Sequence, residues 1–429
     1  MFGWYRDCSR DEKRTFAASV GGYGLDSFDT MAFSFAIPAL IAVWGMSKSD
    51  AGLMGSVALV MSAIGGWGAG ILADRWGRVR TLKIVVIWFT IFTLASGLTS
   101  SPTQLLVTRG LQGLGFGGEW SVGSLLVAET MQSKHRGKTV GLVQASWAVG
   151  WALVAMVYTL VFSLASEQWA WRILFLAAII PAIPVYLLFA GVKEPEIYRR
   201  TKASQQQTGE KSNFLDIFRL DVLATTFFAC LLCTGAQGGY YAVTTWLPTF
   251  LKTTRGLSVL NTGGYLGVVI AGSLTGYIVS AYLCDLIGRR LNFVIYALGS
   301  GSTLLVYTLL PIADSQMMLL GFPLGFFASG IFSGMGSFLA ELFPSHIRGS
   351  AQGFTYNFGR GVGALAPFLV GFLGNSYGLG VAIAIFAGSS YCLIFIAVLF
   401  LPETKGRDLI ESIHHAADQG IATPEVEHQ

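Results

Sequence analysis

GILADRWGRVR fills residues 70–80 and AYLCDLIGRR fills 281–290, and each links one apolar run to the next with few residues between. In both, an acid stands three residues before a glycine that precedes an arginine, so Asp74 falls on Asp285 at an offset of 211. A second pair keeps almost the same interval. AETMQSKHRG (128–137) aligns with AELFPSHIRG (340–349), placing Glu129 on Glu341 and Arg136 on Arg348 at an offset of 212. The chain therefore repeats itself at about half its length, with like charges at like junctions. Two halves repeated in parallel put a binding site at the repeat interface.

The runs between these junctions decide the class. Of 429 residues, 53% are hydrophobic and 12% charged, against about 25% charged in soluble proteins, and the mean hydropathy is +0.59. Apolar runs of about 20 residues, each long enough to cross a bilayer, recur along the chain. Twelve spans are expected, at 17–44, 51–73, 81–100, 103–129, 138–163, 170–191, 221–250, 260–283, 292–312, 315–340, 350–374 and 378–401. The expected fold is an all-α polytopic membrane protein of twelve transmembrane helices in two six-helix repeats. Its parts are a cytoplasmic N-terminus (1–16), an N-terminal bundle (17–191), a cytoplasmic central loop (192–220), a C-terminal bundle (221–401) and a cytoplasmic tail (402–429).

Lys and Arg set the orientation. With the N-terminus inside, 22 of the 28 fall at cytoplasmic ends, and only Lys48, Arg172, Lys252 and Arg255 face outward. The remaining two, Arg109 and Arg360, lie within spans. Because the positive charge follows topology, the net charge of +4 does not point to nucleic acid. The first sixteen residues are too polar for a cleavable signal, so the first span is expected to direct insertion itself. Five scattered cysteines, including Cys230 and Cys233 inside an apolar helix, suit packing better than metal or redox chemistry.

These motifs resemble the major facilitator superfamily, over the whole chain. Within it, the Asp-x-x-Asp first span (Asp26, Asp29), RGLQGLGFGGEW (109–120) and YNFGRGVGA (356–364) are similar to the proton-coupled carboxylate symporters of the aromatic-acid and sialate/lactate-type groups. Ser27 departs from that pattern, since aromatic-acid carriers usually place glycine between the acids. The fifth span, GLVQASWAVGWALVAMVY, lacks the Gly-Pro pair of the superfamily's drug antiporters, which favours symport. The resemblance implies a secondary transporter in the inner membrane.

Depth singles out the candidate residues. Asp26 lies nine residues into its span, Glu119 ten before Glu129, and Arg360 ten past the start of the eleventh span. At ~1.5 Å per residue each is about 15 Å from the inner surface, near the bilayer centre. Burying each costs at least ~2.5–3.5 kcal/mol on insertion scales, so they should face a cavity or one another. More acids than arginines leaves carboxylates free to titrate, whereas an inert buried ion pair would not. Asp26, Asp29 and Glu119 are expected to handle protons, with Arg109, nearer the outer face, biasing their entry. Arg360 is expected to receive the substrate carboxylate as a two-pronged donor, beside Asn357, Gln237, Tyr240, Tyr241, Gln144 and Trp147. The repeat sharpens this division: Asp26 maps onto Gln237, and Ala148 onto Arg360.

At the inner ends, Asp74, Arg75, Arg78, Glu129 and Arg136, with Asp285, Arg289, Arg290, Glu341 and Arg348, are expected to form charged pairs that latch and release as the halves rock. Gly77 and Gly288 permit the tight turns. No GxxxxGK[ST] loop marks an ATP-driven pump, and all five histidines (135, 346, 414, 415, 428) fall in loops or tail, away from any buried nucleophile. The expected protein is not an enzyme, needs no cofactor or metal, and works as a monomer on a small organic anion and protons. The aromatic residues Tyr240, Tyr241, Trp246, Trp120 and Trp147 tilt the expected cargo toward a ring-bearing or bulky acid.

Overall fold

The computed structural model describes residues 3–131, 136–195, 198–199, 214–343 and 347–405. The side chains of Asp74, Asp285, Arg136 and Arg348 lie outside what it describes, as do the tail histidines. Twelve spans follow in order: α1 Arg10–Trp44, α2 Lys48–Trp76, α3 Arg78–Gly97, α4 Pro102–Thr130, α5 Arg136–Leu164, α6 in two pieces (Glu167–Leu176 and Ile179–Ala190), α7 Leu220–Thr249, α8 Val259–Ile287, α9 Arg289–Leu309, α10 in two pieces (Asp314–Gly330 and Met335–Leu342), α11 in two pieces (Arg348–Gly363 and Leu365–Tyr377) and α12 Leu379–Phe400. Lipid offers backbone groups no partners, which is why the spanning elements are helices.

Local chemistry sets the ends and breaks. α1 starts seven residues before the expected edge, because Ser9 and Glu12 form a reciprocal capping box there. Ser47 and Asp50 do the same for α2. The break in α6 lies four residues before Pro181, and that in α11 falls just before Pro367; a proline cannot donate to the carbonyl four residues earlier. α10 unwinds over residues 331–334 between Gly330 and Gly334.

Ten of the twelve are long and apolar enough to cross a membrane. The exceptions among the described residues are α4, which carries Arg109, Gln112 and Glu119, and α11, divided into pieces of 16 and 13 residues, the first holding Arg360. Polarity is thus concentrated on the spans that build the centre. α1 is the most buried of the ten and α6 the least. Large apolar side chains such as Ile180, Leu187 and Leu319 point outward from the bundle, as a lipid-facing surface requires.

The packing repeats with the sequence. α1 packs on α5 and α2 on α4; correspondingly, α7 packs on α11 and α8 on α10. Glycines bring these pairs close: Gly113 and Gly117 of α4 face the backbone of Ala58 and Ser62, and Gly359 of α11 faces Cys233 of α7. The halves meet through α1–α7, α2–α11 and α5–α8.

Candidate functional site

Residues 109, 112, 116, 119 and 123 recur at helical spacing, so Arg109, Gln112, Phe116 and Glu119 form one stripe on α4. That stripe meets α1, and α1 divides its two acids between different neighbours. Asp29 is held inside the first half. Thr93 of α3 donates to Oδ1 at 2.6 Å, Gln112 donates to Oδ2, and Arg109 is its charged neighbour. The Arg109 guanidinium rests 4.7 Å from the Phe33 ring.

Asp26, one turn away, is 1% exposed, and neither of its oxygens has a hydrogen-bond partner among the described residues. Its charged neighbours are Glu119, Asp29 and, from the other half, Arg360. Glu119 Oε1 lies where a side chain on Gly22 would stand, so a larger residue there would displace that carboxylate, and Oε2 has no partner among the described residues. Ser27, between the acids, donates to the Trp147 carbonyl at 2.5 Å. The hydroxyl that departs from the carboxylate-carrier pattern thus fastens α1 to α5.

Arg360 is 1% exposed, with its guanidinium 4.9 Å from the Phe116 ring and 5.2 Å from that of Tyr356. The hydroxyls of Tyr241, Tyr356 and Tyr23 surround it, while Nε and Nη1 carry no hydrogen bond among the described residues. Two cavities flank this centre. One, toward the Lys48 end, is lined by residues including Thr30, Phe33, Ser34, Arg109, Phe116 and Tyr241. The other, toward the Arg78 end, is lined by residues including Ser19, Tyr23, Glu119, Gln144 and Phe332. Arg360 lines neither, standing between them behind Tyr241 and Tyr23.

The remaining expected contacts divide. Tyr241 lies at Arg360, but Tyr240 turns away to accept from Trp147 Nε1 at 2.6 Å, across the α5–α7 seam. Gln144 lines the Glu119 cavity and accepts from Trp120 at 2.9 Å. Gln237 Nε2 donates to the Tyr356 carbonyl at 2.8 Å, fixing α7 to α11 beside the arginine. Asn357 bridges the halves by donating to Ser121 at 3.2 Å. Tyr356, Phe116 and Tyr23 escaped the sequence reading. Tyr356 stacks on Trp120 with ring centroids 3.6 Å apart, and its position one turn before Arg360 was the available signal.

At the Arg78 end the expected charged pairs form within each half. Arg78 Nε and Nη2 donate to Glu129 at 3.1 and 3.0 Å, and Arg289 reproduces this on Glu341 at 3.1 and 2.9 Å. Each pair joins spans of one half; neither crosses to the other. Arg78 and Glu129 thus clamp the start of α3 to the end of α4 in one half, as Arg289 and Glu341 clamp the start of α9 to the end of α10 in the other. Two acids missed in sequence complete the clamps. Glu194 accepts from the backbone N–H of Arg78 and Val79 at 2.8 and 3.0 Å, and Glu403 from those of Arg289 and Arg290 at 2.9 and 3.0 Å. Both carboxylates cap helices that start directly after a glycine at positive φ, Gly77 at 106° and Gly288 at 98°. Burial pulls the Glu403 carboxyl up, but the N–H groups of Arg289, Arg290, Lys405 and Thr404 together hold it below the usual range. The signal was the acid that follows the last span of each half, in VKEP and LPET. Arg75 is exposed at this end, and Arg290 donates to the Leu399 carbonyl at 3.4 Å.

A family profile described as the Major Facilitator Superfamily matches residues 20–316 and 266–421. The chain is 40% identical over 427 residues to a probable 4-methylmuconolactone transporter of Cupriavidus pinatubonensis, covering 99% of this chain and 98% of that one. It is 31% identical over 385 residues to a cis,cis-muconate transport protein of Acinetobacter baylyi, covering 89% and 92%. In fold it is similar to the inward-open xylose transporter XylE from E. coli, with a TM-score of 0.74 and 22% identity over 94% of this chain and 98% of that one.

Proposed function

Since the chain belongs to the major facilitator superfamily and is a membrane transporter, not an enzyme, we propose that it is a proton-coupled symporter importing an organic carboxylate across the inner membrane. Asp26 carries this reading. A carboxylate that is 1% exposed, without hydrogen bonds among the described residues, and set between Glu119 and the Arg360 of the opposite half is costly to keep charged. A proton on Asp26 or Glu119 relieves that cost, and an anion on Arg360 satisfies the guanidinium. Each event makes the other less costly, which is the basis of coupling.

The other residues take supporting roles. Asp29, held by Thr93 and Gln112, sets the charge beside Arg109 at the entry cavity. Tyr241 and Asn357 adjoin the cargo, and Gln237 steadies the α11 backbone that bears Arg360. Both termini lie in the cytoplasm, in accord with the basic loops. The clamps at Glu129 and Glu341 keep each six-span bundle rigid, so that the two rock about the site by alternating access. The cargo is a compact unsaturated or ring-bearing acid, in line with the muconolactone and muconate named for the two relatives. Uptake of labelled acids into proteoliposomes tests this: an imposed inward proton gradient should drive accumulation above the external concentration. Accumulation indifferent to the gradient would sink the symport reading.

A further inference from the structure

The cavity toward the Lys48 end has one cation in its lining and a second behind it. Arg109 lines it directly, is 3% exposed, and its Nε and Nη1 carry no hydrogen bond among the described residues. Arg360 stands behind the Phe116 and Tyr241 lining with the same two nitrogens unpartnered among those residues. Each guanidinium rests on an aromatic ring, Arg109 on Phe33 and Arg360 on Phe116, and both rings line this one cavity. Tyr241, also in the lining, is the group between the cavity and Arg360. Asp29 balances the charge of Arg109 but directs its two oxygens to Thr93 and Gln112.

We infer that this cavity is a two-ended anion site whose cargo is a flat, unsaturated dicarboxylate, one carboxylate on Arg109 and the other on Arg360. The inference rests on the proposal that Arg360 takes a carboxylate, and adds the second end. The far carboxylate takes the place of the Tyr241 hydroxyl on the guanidinium. Phe33 and Phe116 supply flat apolar walls for a conjugated chain, and Thr30 and Ser34 supply hydroxyls along it. Arg109 and Phe116, the ring on which Arg360 rests, are seven residues apart on α4, a rise of about 10 Å, which is the scale of a short-chain dicarboxylate with a hydrogen bond at each end. A monoacid of the same shape satisfies one guanidinium and leaves two buried nitrogens of the other without hydrogen bonds among the described residues.

Muconate and sorbate share a diene frame and differ by one carboxylate, so the test is their binding to the purified full-length transporter in detergent, by titration calorimetry. Muconate should bind about 30-fold tighter than sorbate, a difference of one charge-assisted contact. Arg109→Gln should bring the two affinities within about threefold of each other, and Arg360→Lys should weaken both. Equal affinity for the two acids in the wild-type protein overturns the two-ended site while leaving the carboxylate reading standing. Weakening of both acids alike by Arg109→Gln does the same. Binding of neither acid also overturns the two-ended site, and the labelled-acid uptake assay then decides the carboxylate reading. The wild-type comparison needs no variant, so it decides between these outcomes even if Arg109→Gln folds poorly.

Discussion

Arg78 and Arg360 are both buried arginines in the same molecule, and they differ in how completely their hydrogens are used. Arg78 gives two hydrogen bonds to Glu129 and one to the Ala73 carbonyl, and its guanidinium lies 4.5 Å from the Tyr198 ring. Its twin Arg289 repeats the arrangement almost bond for bond. Arg360 has no twin, since Ala148 holds the matching place, and two of its nitrogens are unpartnered among the described residues. The contrast separates scaffold from site. Where the halves repeat, polar groups are satisfied; where the repeat breaks, at Asp26 against Gln237 and Arg360 against Ala148, they are left available.

The largest effect should come from the acids. Asp26→Asn should reduce gradient-driven accumulation to background while preserving exchange of labelled for unlabelled substrate, read in proteoliposomes. Asp29→Asn keeps groups able to meet Thr93 and Gln112, and should retain measurable driven uptake. Next in size, Arg360→Lys preserves charge but loses the fork. It should weaken substrate binding by about 100-fold, or ~2.7 kcal/mol, read by calorimetry. Unchanged affinity would make Arg360 another scaffold arginine.

The scaffold side can be broken separately. Glu341→Ala leaves Arg289 without its fork partner and should lower stability by roughly 3 kcal/mol, read as a fall in the melting temperature, because one partner of a mostly buried pair is gone. Affinity for the acid should move far less. Smallest is a pH effect. The Glu403 carboxyl is held low in the folded chain, so its contribution is present above the usual carboxylate range near ~4.3 and is lost as pH falls through its lowered value. Glu403→Gln should flatten that part of the acid limb of the melting curve.

The spans were legible in the sequence because lipid demands apolar length, and the junctions were legible because charges recur there. Asp26, Glu119 and Arg360 were readable as one depth for the same reason. Their division of labour was not. Asp26 and Asp29 share a face of α1, but the ~4.5 Å rise between them puts Asp29 at Thr93 of α3 and Gln112 of α4, and Asp26 at Glu119 of α4 and Arg360 of α11. Tyr240 looked equivalent to Tyr241 until the α5–α7 seam gave its hydroxyl to Trp147. Glu194 and Glu403 sat in polar connections with no periodic pattern, and only the folded junctions bring them to the exposed N–H groups of α3 and α9.

If Asp26 takes up the proton that accompanies the anion, that proton can be counted. The direct measurement is the alkalinisation of a weakly buffered medium when substrate is added to proteoliposomes holding wild-type or Asp26→Asn protein. Wild type should show a substrate-dependent proton uptake that disappears in Asp26→Asn while labelled substrate still exchanges. Proton uptake of wild-type size in Asp26→Asn would contradict the assignment of the proton to Asp26.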